Sequence, residues 1–436
     1  MFSTYSLTEL LLIGHFVLNL FFAVRIIYSK RASSVALAWL VILFVLPYVG
    51  TLAYLLFGEP RLGVKRLRRK QEIRSFYEQF NQQFKEAFVF DKRRVEKRFL
   101  GLGALTYRRM GYGIGDGNKT RLFTTPEAIL AAFVEDIERA QSSCLVMFYI
   151  VEATGRVEAV LEALEAAAKR GVRCQLMVDD VGSKRFINSP WAKRLQENGV
   201  ALTRALPIGV LKMLFVRNDL RNHRKLLIVD HKIAYTGSYN LVDPRFFKQE
   251  LGVGEWVDVM MRCEGAVVQW LASVFYVDWA VENDRNLRDT QTYLGRYLQE
   301  LPVVGAVEES HGQALLQVIP SAPDQKGSIV YETIIAALYT ALDSVVITTP
   351  YFVPDESLLM ALVLAAKRGV RVVIVLPKAI DSWLVSYASR AYYQMLLEAG
   401  VELAMFSQGL LHSKTVVVDG RYALFGTVNM DMRSFI

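Results

Sequence analysis

The 436-residue chain is long enough for two folded lobes and carries more apolar mass than they need, since 53% of its residues are hydrophobic and its mean hydropathy is +0.24. Its net charge of +8 fits nucleic acid, an anionic membrane surface or an anionic substrate, and the location of the basic residues decides among them. The three cysteines, Cys144, Cys174 and Cys263, form no CxxC pair. This spacing indicates a reducing compartment and argues against a disulfide framework or a thiolate metal site.

Two apolar segments, residues 7–28 and 35–57, dominate the first sixty residues. Each is long enough to cross a bilayer as a helix of about 20 residues. Residues 1–60 are therefore predicted to form a transmembrane hairpin, and Pro47 and Gly50 allow the second helix to be kinked or re-entrant. The alternative is a cleaved signal peptide. It is disfavoured because no basic residue precedes the first segment and a second apolar segment follows at once.

Basic residues crowd the exit of the second apolar segment, where six lie between residues 61 and 70. The end of the first segment and the loop after it hold only Arg25, Lys30 and Arg31. Because the more basic flank usually stays in the cytoplasm, a multi-pass protein with a cytoplasmic catalytic domain is expected. The basic cluster also favours an anionic membrane surface, although a solvated helix face is an alternative. Residues 61–120 as a whole are interpreted as a basic helical connector.

Beyond residue 120, helix and strand patterns alternate, and they do so twice. In the first half, Thr125 as N-cap and Pro126 at the first helical position open the pattern. The predicted elements are helices over 127–141, 329–342 and 357–368, a helix ending at Arg170, and strands over 145–151, 173–178, 345–349 and 372–376. The heptapeptide Ala-Ala-Lys-Arg-Gly-Val-Arg occurs at 167–173 and again at 365–371, which indicates a duplicated unit. The alternation predicts one α/β sandwich per lobe, with lobes at 121–300 and 310–436.

An apolar stretch with an interspersed lysine, residues 208–217, precedes the first polar motif. It is predicted to be a buried strand. The alternative is that it dips into the membrane surface beside the site.

Each half carries the same polar motif, H-x-K-x4-D followed by G-[ST]-x-N at identical spacing. The first copy comprises His223, Lys225, Asp230, Ser238 and Asn240, and the second comprises His412, Lys414, Asp419, Thr427 and Asn429. Residues two apart on a strand point to the same side, so each histidine shares a face with its lysine. An imidazole beside an ammonium group suits an anion. One such motif could lie on an edge strand without any catalytic role, whereas two copies at the same spacing are not expected by chance.

The doubled motif is similar to that of the phospholipase D superfamily. Three flanking stretches, Asn240–Arg245, Pro350–Asp355 and Asn429–Ser434, together with the apolar N-terminus, resemble the bacterial cardiolipin synthase family. The resemblance covers essentially the whole chain. It implies two phospholipase D-like α/β lobes forming one catalytic unit at the bacterial inner (cytoplasmic) membrane. It also implies phosphatidyl transfer from one phosphatidylglycerol to another, giving cardiolipin and glycerol through a phosphohistidine intermediate.

The resemblance further implies roles for the motif residues. His223 is the expected nucleophile, and His412 is the expected general acid and then base. The two lysines, helped by Ser238, Asn240, Thr427 and Asn429, would stabilise charge on the phosphoryl oxygens. No metal or other cofactor is expected, because two ammonium groups stand where Mg²⁺ stands in many phosphoryl-transfer enzymes. Asp230 and Asp419 complete the catalytic motif, but their odd spacing predicts that they fix the turn or the lysine.

In the family an acidic residue on the following strand orients each histidine. For His223 the best match is Asp258. The alternatives are Glu250 and Glu255. For His412 the corresponding residue is expected shortly after Ser434, but the sequence ends at Ile436, which predicts either a truncated chain or another group in its place.

Three other functions stay open from the sequence. A hydrolytic phospholipase D would use the same motifs, and a nuclease of the superfamily would suit the net charge. The two apolar segments and the juxtamembrane position of the basic residues argue against nucleic acid as a partner. A catalytically silent membrane scaffold is the third alternative. A homo-oligomer is a further expectation.

Overall fold

The structure is a computed structural model that describes residues 7–29, 33–46, 48–58, 76, 79–80, 82, 90–206, 221–283, 294–299, 312–320 and 328–431. The described residues up to Gly58 form a helical unit, and those from Phe76 onwards form a separate α/β unit. Residues 208–217, predicted as a buried strand or a membrane-facing segment, lie outside the described residues. So does most of the predicted connector before residue 90.

Helices in the N-terminal unit coincide with the two apolar segments of the sequence. They are α1 (Leu7–Tyr28), α2 (Ser33–Val45) and α3 (Val49–Ala53), and a π-helical turn over Tyr54–Gly58 follows. Buried Phe22, Leu43 and Tyr54 share one apolar cluster, and Thr51 Oγ1 donates to Asn19 Oδ1 at 2.9 Å. Of the helices in the described ranges, none has both the length and the apolar composition needed to cross a membrane.

Within the residues that the structure describes, nine strands belong to the first lobe and the segment that follows it. They are β1 (Gly115–Phe123), β2 (Ser143–Phe148), β3 (Arg173–Asp179), β4 (Ala201–Ala205), β5 (Lys225–Val229), β6 (Ile233–Gly237), β7 (Trp256–Val257), β8 (Met260–Glu264) and β9 (Ala314–Leu316). All but β7 form one mixed sheet in the order β4-β3-β2-β5-β6-β8-β1-β9. The predicted helical connector is wrong at its end, because residues 115–120 belong to β1, which pairs with β9 through Gly115 and Asn118 and with β8 from Lys119 onwards, instead of continuing a helix.

Helices cover both faces of this sheet. They are α5 (Pro126–Glu138), α6 (Val157–Lys169), α7 (Lys184–Ile187), α8 (Pro190–Glu197) and α9 (Val267–Asn283), whereas the preceding helix α4 (Lys97–Met110) places Phe99 and Leu102 in the core of the second lobe. As predicted, Thr125 caps α5, accepting from the backbone N–H of Ala128 at 3.4 Å. Side chains of β5 alternate between the two cores: Leu227 packs with α5 and α6, and Leu226 packs with α9. The strand that carries the first motif is therefore buried on both faces.

The second lobe repeats the first on a smaller scale. Its strands are β10 (Ser344–Thr348), β11 (Phe352–Val353), β12 (Arg371–Pro377), β13 (Glu402–Phe406), β14 (Leu410–Leu411), β15 (Thr415–Val418), β16 (Tyr422–Phe425) and β17 (Met430–Asp431), and its helices are α10 (Ile329–Thr340), α11 (Glu356–Lys367), α12 (Trp383–Arg390) and α13 (Tyr393–Glu398). Five of the strands form a sheet in the order β13-β12-β10-β15-β16. Both copies of the repeated heptapeptide end a helix at a left-handed glycine, Gly171 (φ 91°) and Gly369 (φ 90°), and lead into the next parallel strand.

Backbone pairing joins the two lobes immediately beside the motifs. Strand β7 of the first lobe runs parallel to β14 of the second. The backbone N–H of Leu410 donates to Glu255 O at 2.9 Å, and that of His412 donates to Val257 O at 2.8 Å. Gly409 permits this approach, because a Cβ at its position would lie 2.3 Å from Glu255 O. The two lobes thus form one α/β unit whose junction ends at His412.

Candidate active site

Each motif lysine folds back onto its own histidine. Lys225 Nζ donates to His223 O at 2.8 Å, and Lys414 Nζ donates to His412 O. Both lysines are buried. The same contact occurs in both copies of the motif, and the shared face of the two side chains stays a prediction.

A carboxylate from the first lobe contacts the histidine of the second. His412 Nδ1 lies 2.8 Å from Asp258 Oδ1. The prediction that Asp258 orients His223 is therefore wrong, because strand β7 runs alongside β14 and carries Asp258 to His412 instead. The segment after Ser434, where a partner for His412 was expected, lies outside the described residues. Of the two alternatives, Glu255 contributes its backbone oxygen to the lobe junction.

Aromatic rings pack on both histidines. The Trp256 ring centroid is 4.2 Å from that of His412, and the Tyr149 ring meets His223 edge-on at 4.3 Å. Lys225 Nζ lies 5.6 Å from the Tyr149 ring centroid. Sequence reasoning missed both rings, although each stands beside a recognisable element: Tyr149 directly follows β2, and Trp256 opens β7 two residues before Asp258.

Burial and mutual charge set the protonation of the site. Burial, followed by the charges of Lys225, Lys414 and His412, lowers the pKa of His223 to about 3. Burial also lowers the pKa of His412 to about 4, where Asp258 opposes the change and Lys414 and Lys225 reinforce it. These charges act across the lobe boundary in both directions. The two pairs predicted from separate halves of the chain therefore form one electrostatic cluster.

The lysines and the aspartate respond to the same cluster. Burial lowers the pKa of Lys225 to about 8, against the influence of Asp258 and Asp179. Burial likewise lowers the pKa of Lys414, although Asp258 opposes it. Burial alone would raise the pKa of Asp258, but His412 and Lys414 outweigh it, so the net change is downward. Asp258 is therefore ionised and can only accept a hydrogen bond, which assigns the proton of the contact to His412 Nδ1.

The motif aspartates lie at the opposite end of their strands from the lysines. Asp230 accepts from the backbone N–H groups of residues 141–143 at 2.7–2.9 Å. Asp419 does the same with residues 342–344 at 2.7–3.0 Å and also accepts from Arg98. Four residues of extended strand separate each aspartate from its lysine by roughly 13 Å or more. Each aspartate therefore holds the loop that precedes a neighbouring strand, β2 or β10, and neither lies beside the lysine of its own motif.

The four predicted phosphate-binding residues differ in the hydrogen bonds that their side chains make. Ser238 Oγ accepts from the backbone N–H of Val259 at 3.1 Å and hydrogen-bonds to Asp258. Asn240 Oδ1 accepts from the backbone N–H of Ile150 at 3.2 Å. Asn429 Oδ1 is buried with no hydrogen-bond partner in the part of the chain that the structure describes. Thr427 lines a cavity, and its role in phosphate binding stays a prediction.

This cavity, of about 570 Å³, lies between the two lobes. Apolar side chains from both sheets line most of it, among them Leu226 and Val416, and Lys225, Lys414 and Thr427 also contribute to its wall, whereas neither motif histidine lines it. Among the described residues, no group of three or more His, Cys, Asp or Glu side chains could hold a metal ion. Metal-free chemistry stays a prediction.

Two α/β lobes with equivalent His-x-Lys strands meeting at one site define a phospholipase D-like fold. The phosphatidylserine synthase of Haemophilus influenzae Rd KW20 has a similar structure, with a TM-score of 0.51 over 76% of this chain and 84% of that chain. The two sequences are only 14% identical, so this likeness supports the fold alone.

Sequence comparison is more specific. The family model described as "Cardiolipin synthase, PLD-like domain" matches residues 133–279 and 334–436, and a model described as "Phospholipase_D-nuclease N-terminal" matches residues 17–59. Proteins named cardiolipin synthase A from Yersinia pseudotuberculosis serotype IB (strain PB1/+) and from Yersinia pestis are each 41% identical over 423 residues, 97% of this chain and 85% of theirs. The chain belongs to the cardiolipin synthase family of phospholipase D-like proteins.

Proposed function

We propose that the protein is a cardiolipin synthase that transfers a phosphatidyl group from one phosphatidylglycerol to the terminal hydroxyl of another and releases glycerol. The observation that carries the proposal is the single buried cluster of two His-Lys pairs, one from each lobe. Such a cluster suits a phosphodiester, because it combines two imidazoles with two ammonium groups. The names of the relatives direct this chemistry to cardiolipin.

His223 is the proposed nucleophile. Apart from burial, the leading influences on its pKa are the positive charges of Lys225, Lys414 and His412, so its imidazole is neutral at physiological pH and keeps a lone pair. Attack on phosphorus forms the P–N bond of a phosphohistidine while the P–O bond to the first glycerol breaks.

His412 is the proposed general acid. Asp258 stabilises its protonated form, and the negative charge of a bound phosphodiester would add to this effect. The pKa of His412 is about 4 in the empty site, so the imidazolium would form once the phosphodiester is bound, and it would then give its proton to the departing glycerol oxygen. In the second step it takes the proton from the hydroxyl of the acceptor phosphatidylglycerol, whose oxygen displaces His223 from phosphorus.

The lysines and neighbouring polar groups would stabilise the phosphoryl oxygens as charge develops on them. Lys225 and Lys414 carry most of this role because binding of an anion favours their charged forms. The side-chain Nδ2–H group of Asn429 would donate to the same phosphoryl oxygens. Ser238, Asn240 and Thr427 complete the proposed set.

Transfer requires that a lipid alcohol, rather than water, resolves the intermediate. Anchoring in the membrane would supply it by concentrating donor and acceptor lipids at the site. We therefore assign the N-terminal apolar helices to the bacterial inner membrane as a hairpin, with the catalytic unit on the cytoplasmic side. The apolar sequence of residues 7–28 and 35–57 and the basic cluster at residues 61–70 support this arrangement.

Product analysis tests the proposed function. The purified full chain is supplied with phosphatidylglycerol vesicles, and the products are quantified by mass spectrometry. Cardiolipin and glycerol are expected in equal amounts, and His223→Ala should abolish both. A matched control is His231→Gln, which alters another buried histidine of the first lobe that is outside the motif. Phosphatidic acid as the main product would instead identify a hydrolase, and cardiolipin formation by His223→Ala would refute the assigned site.

A further inference from the structure

Helix α12 presents an apolar face to solvent. Trp383, Leu384 and Tyr387 are 74%, 59% and 67% exposed, and Arg390 is also exposed. These four residues lie on one side of the helix because their spacing follows its period, whereas Ser389 on the other side is buried. We call these four residues the α12 face. Three large apolar side chains grouped on a surface helix indicate a binding site.

The chemistry of the α12 face suits an anionic lipid surface. Tryptophan and tyrosine have an apolar body and a polar end, and they are enriched at the level of lipid headgroups. Arg390 is the sole charged residue between Ser382 and Leu397, and its guanidinium lies 5.9 Å from the ring centroid of Tyr387. A face without carboxylates and with one cation is complementary to anionic headgroups.

A chain of contacts connects the α12 face with the candidate active site. Asp381, two residues before Trp383, accepts from Tyr351 Oη at 2.6 Å and lies 3.7 Å from Lys248 Nζ of the first lobe. Lys248 Nζ in turn lies 5.2 Å from the ring centroid of Trp256, which packs on the imidazole of His412. The start of α12 is thus tied to the residues around the catalytic imidazole.

We propose that the α12 face docks on the anionic bilayer surface, with Trp383, Leu384 and Tyr387 at the depth of the headgroups. Docking there holds the catalytic unit next to the lipids that it uses. The choice of a lipid surface as the occupant rests on the proposed function. A protein partner on the same face is the competing outcome.

Lipid-depth quenching tests the docking without any need for activity. The three native cysteines are buried, so Trp383→Cys in the full chain introduces an exposed thiol for a fluorescent label. The matched control is Lys193→Cys on α8 of the first lobe, where the side chain is 80% exposed. In vesicles of phosphatidylglycerol and phosphatidylcholine, lipids carrying a nitroxide should quench the label at 383 at least about threefold more than the label at 193, because only the former reaches the interface. Equal quenching at both positions would overturn the proposal.

A variant with Trp383→Ala, Leu384→Ala and Tyr387→Ala gives an independent test. Its turnover of phosphatidylglycerol in vesicles should fall about tenfold at limiting lipid density, because apolar area available for the interface is lost. Turnover of a short-chain phosphatidylglycerol dissolved as monomers should be unchanged. An equal fall with both substrates would overturn docking in favour of a role in the site. If the unmodified chain makes no cardiolipin, the proposed function fails while the quenching experiment still decides the docking.

Discussion

The two histidines of the site are chemically different although their motifs are nearly the same. His412 has a carboxylate on Nδ1 and an indole on its ring. His223 has the edge of Tyr149 and a set of positive neighbours. Because a carboxylate favours the imidazolium and positive neighbours disfavour it, the difference supports an acid role for His412 and a nucleophile role for His223.

Replacing Asp258 should impair the acid and shift its titration. In Asp258→Asn, loss of the negative charge lowers the pKa of His412 further, so the alkaline limb of the pH–rate profile should move to lower pH. The rate of transfer should fall on the order of 100-fold, the scale of general acid catalysis. Steady-state rates from pH 3 to 9 measure both effects, because the pKa of His412 is about 4 in the empty site. Glu255→Gln is the control, and an unshifted limb in Asp258→Asn would contradict the assignment.

Anion affinity should weaken in alkaline solution. The pKa of Lys225 is about 8 in the empty site, and the lysine must be protonated to attract a phosphodiester. Above pH 8 the affinity for a soluble phosphodiester inhibitor should therefore fall by up to about tenfold per pH unit as Lys225 loses its proton. Calorimetric titration measures the dissociation constant. In Lys225→Arg the guanidinium stays charged, so the change in affinity near pH 8 should disappear. A wild-type affinity that stays level up to pH 10 would refute the role of Lys225 protonation in anion binding.

Among the elements, the short pair β7–β14 has the largest effect on the site, because it sets where His412 lies relative to Asp258. Its register depends on the close approach of Gly409 to Glu255 O. Regular strands β5 and β15 then carry Lys225 and Lys414 to the same junction. The position of His412 in the site thus depends on the two-residue pairing of β7 with β14 rather than on the two large sheets.

Adding a methyl group at Gly409 should separate the lobes locally and reduce the transfer rate. In Gly409→Ala the new Cβ meets Glu255 O at 2.3 Å in addition to the strain of φ 115°, so His412 should move away from Asp258. The matched control is Gly400→Ala, which has φ 90° but no atom within 4 Å of the added Cβ. Both variants should lose roughly 1 kcal/mol or more of stability from backbone strain. Only Gly409→Ala should lose most of its activity, and equal activities would contradict the role of the junction.

Local signals in the sequence predicted much of the element structure. Thr125 and Pro126 predicted the start of α5, and the helices predicted to end at Arg170 and at residue 368 are followed by the left-handed glycines Gly171 and Gly369. The partner of Asp258 could not be predicted, because it depends on a pairing between residues 154 positions apart. The strand character of residues 115–120 was missed for a similar reason: it comes from pairing with β8 on one side and β9 on the other.

At the scale of the whole molecule, the site exists only where the two lobes meet. Charges on Lys414 and His412 act on His223, and Lys225 acts on His412. The cavity between the lobes is lined by both sheets. The motif of either half alone holds one imidazole and one ammonium group, which is half of what two-step transfer requires.

Loss of either histidine should therefore abolish the same activity. His223→Ala and His412→Ala should each reduce cardiolipin formation by a similar factor, and the double variant should be no worse than the poorer single variant, because groups that act as a unit are not additive. Rates measured by mass spectrometry over long incubations compare the three. Losses that multiply in the double variant would indicate two independent sites. Thermal unfolding of each variant controls for misfolding.

The carboxylate of one repeat serving the imidazole of the other has an evolutionary consequence. Because Asp258 of the first repeat contacts His412 of the second, a substitution at either position affects the function of the other. The two repeats are therefore expected to evolve together rather than independently. Relatives should consequently show correlated substitutions between these positions, and transplanting a single repeat from a distant homologue should succeed only when its counterpart accompanies it.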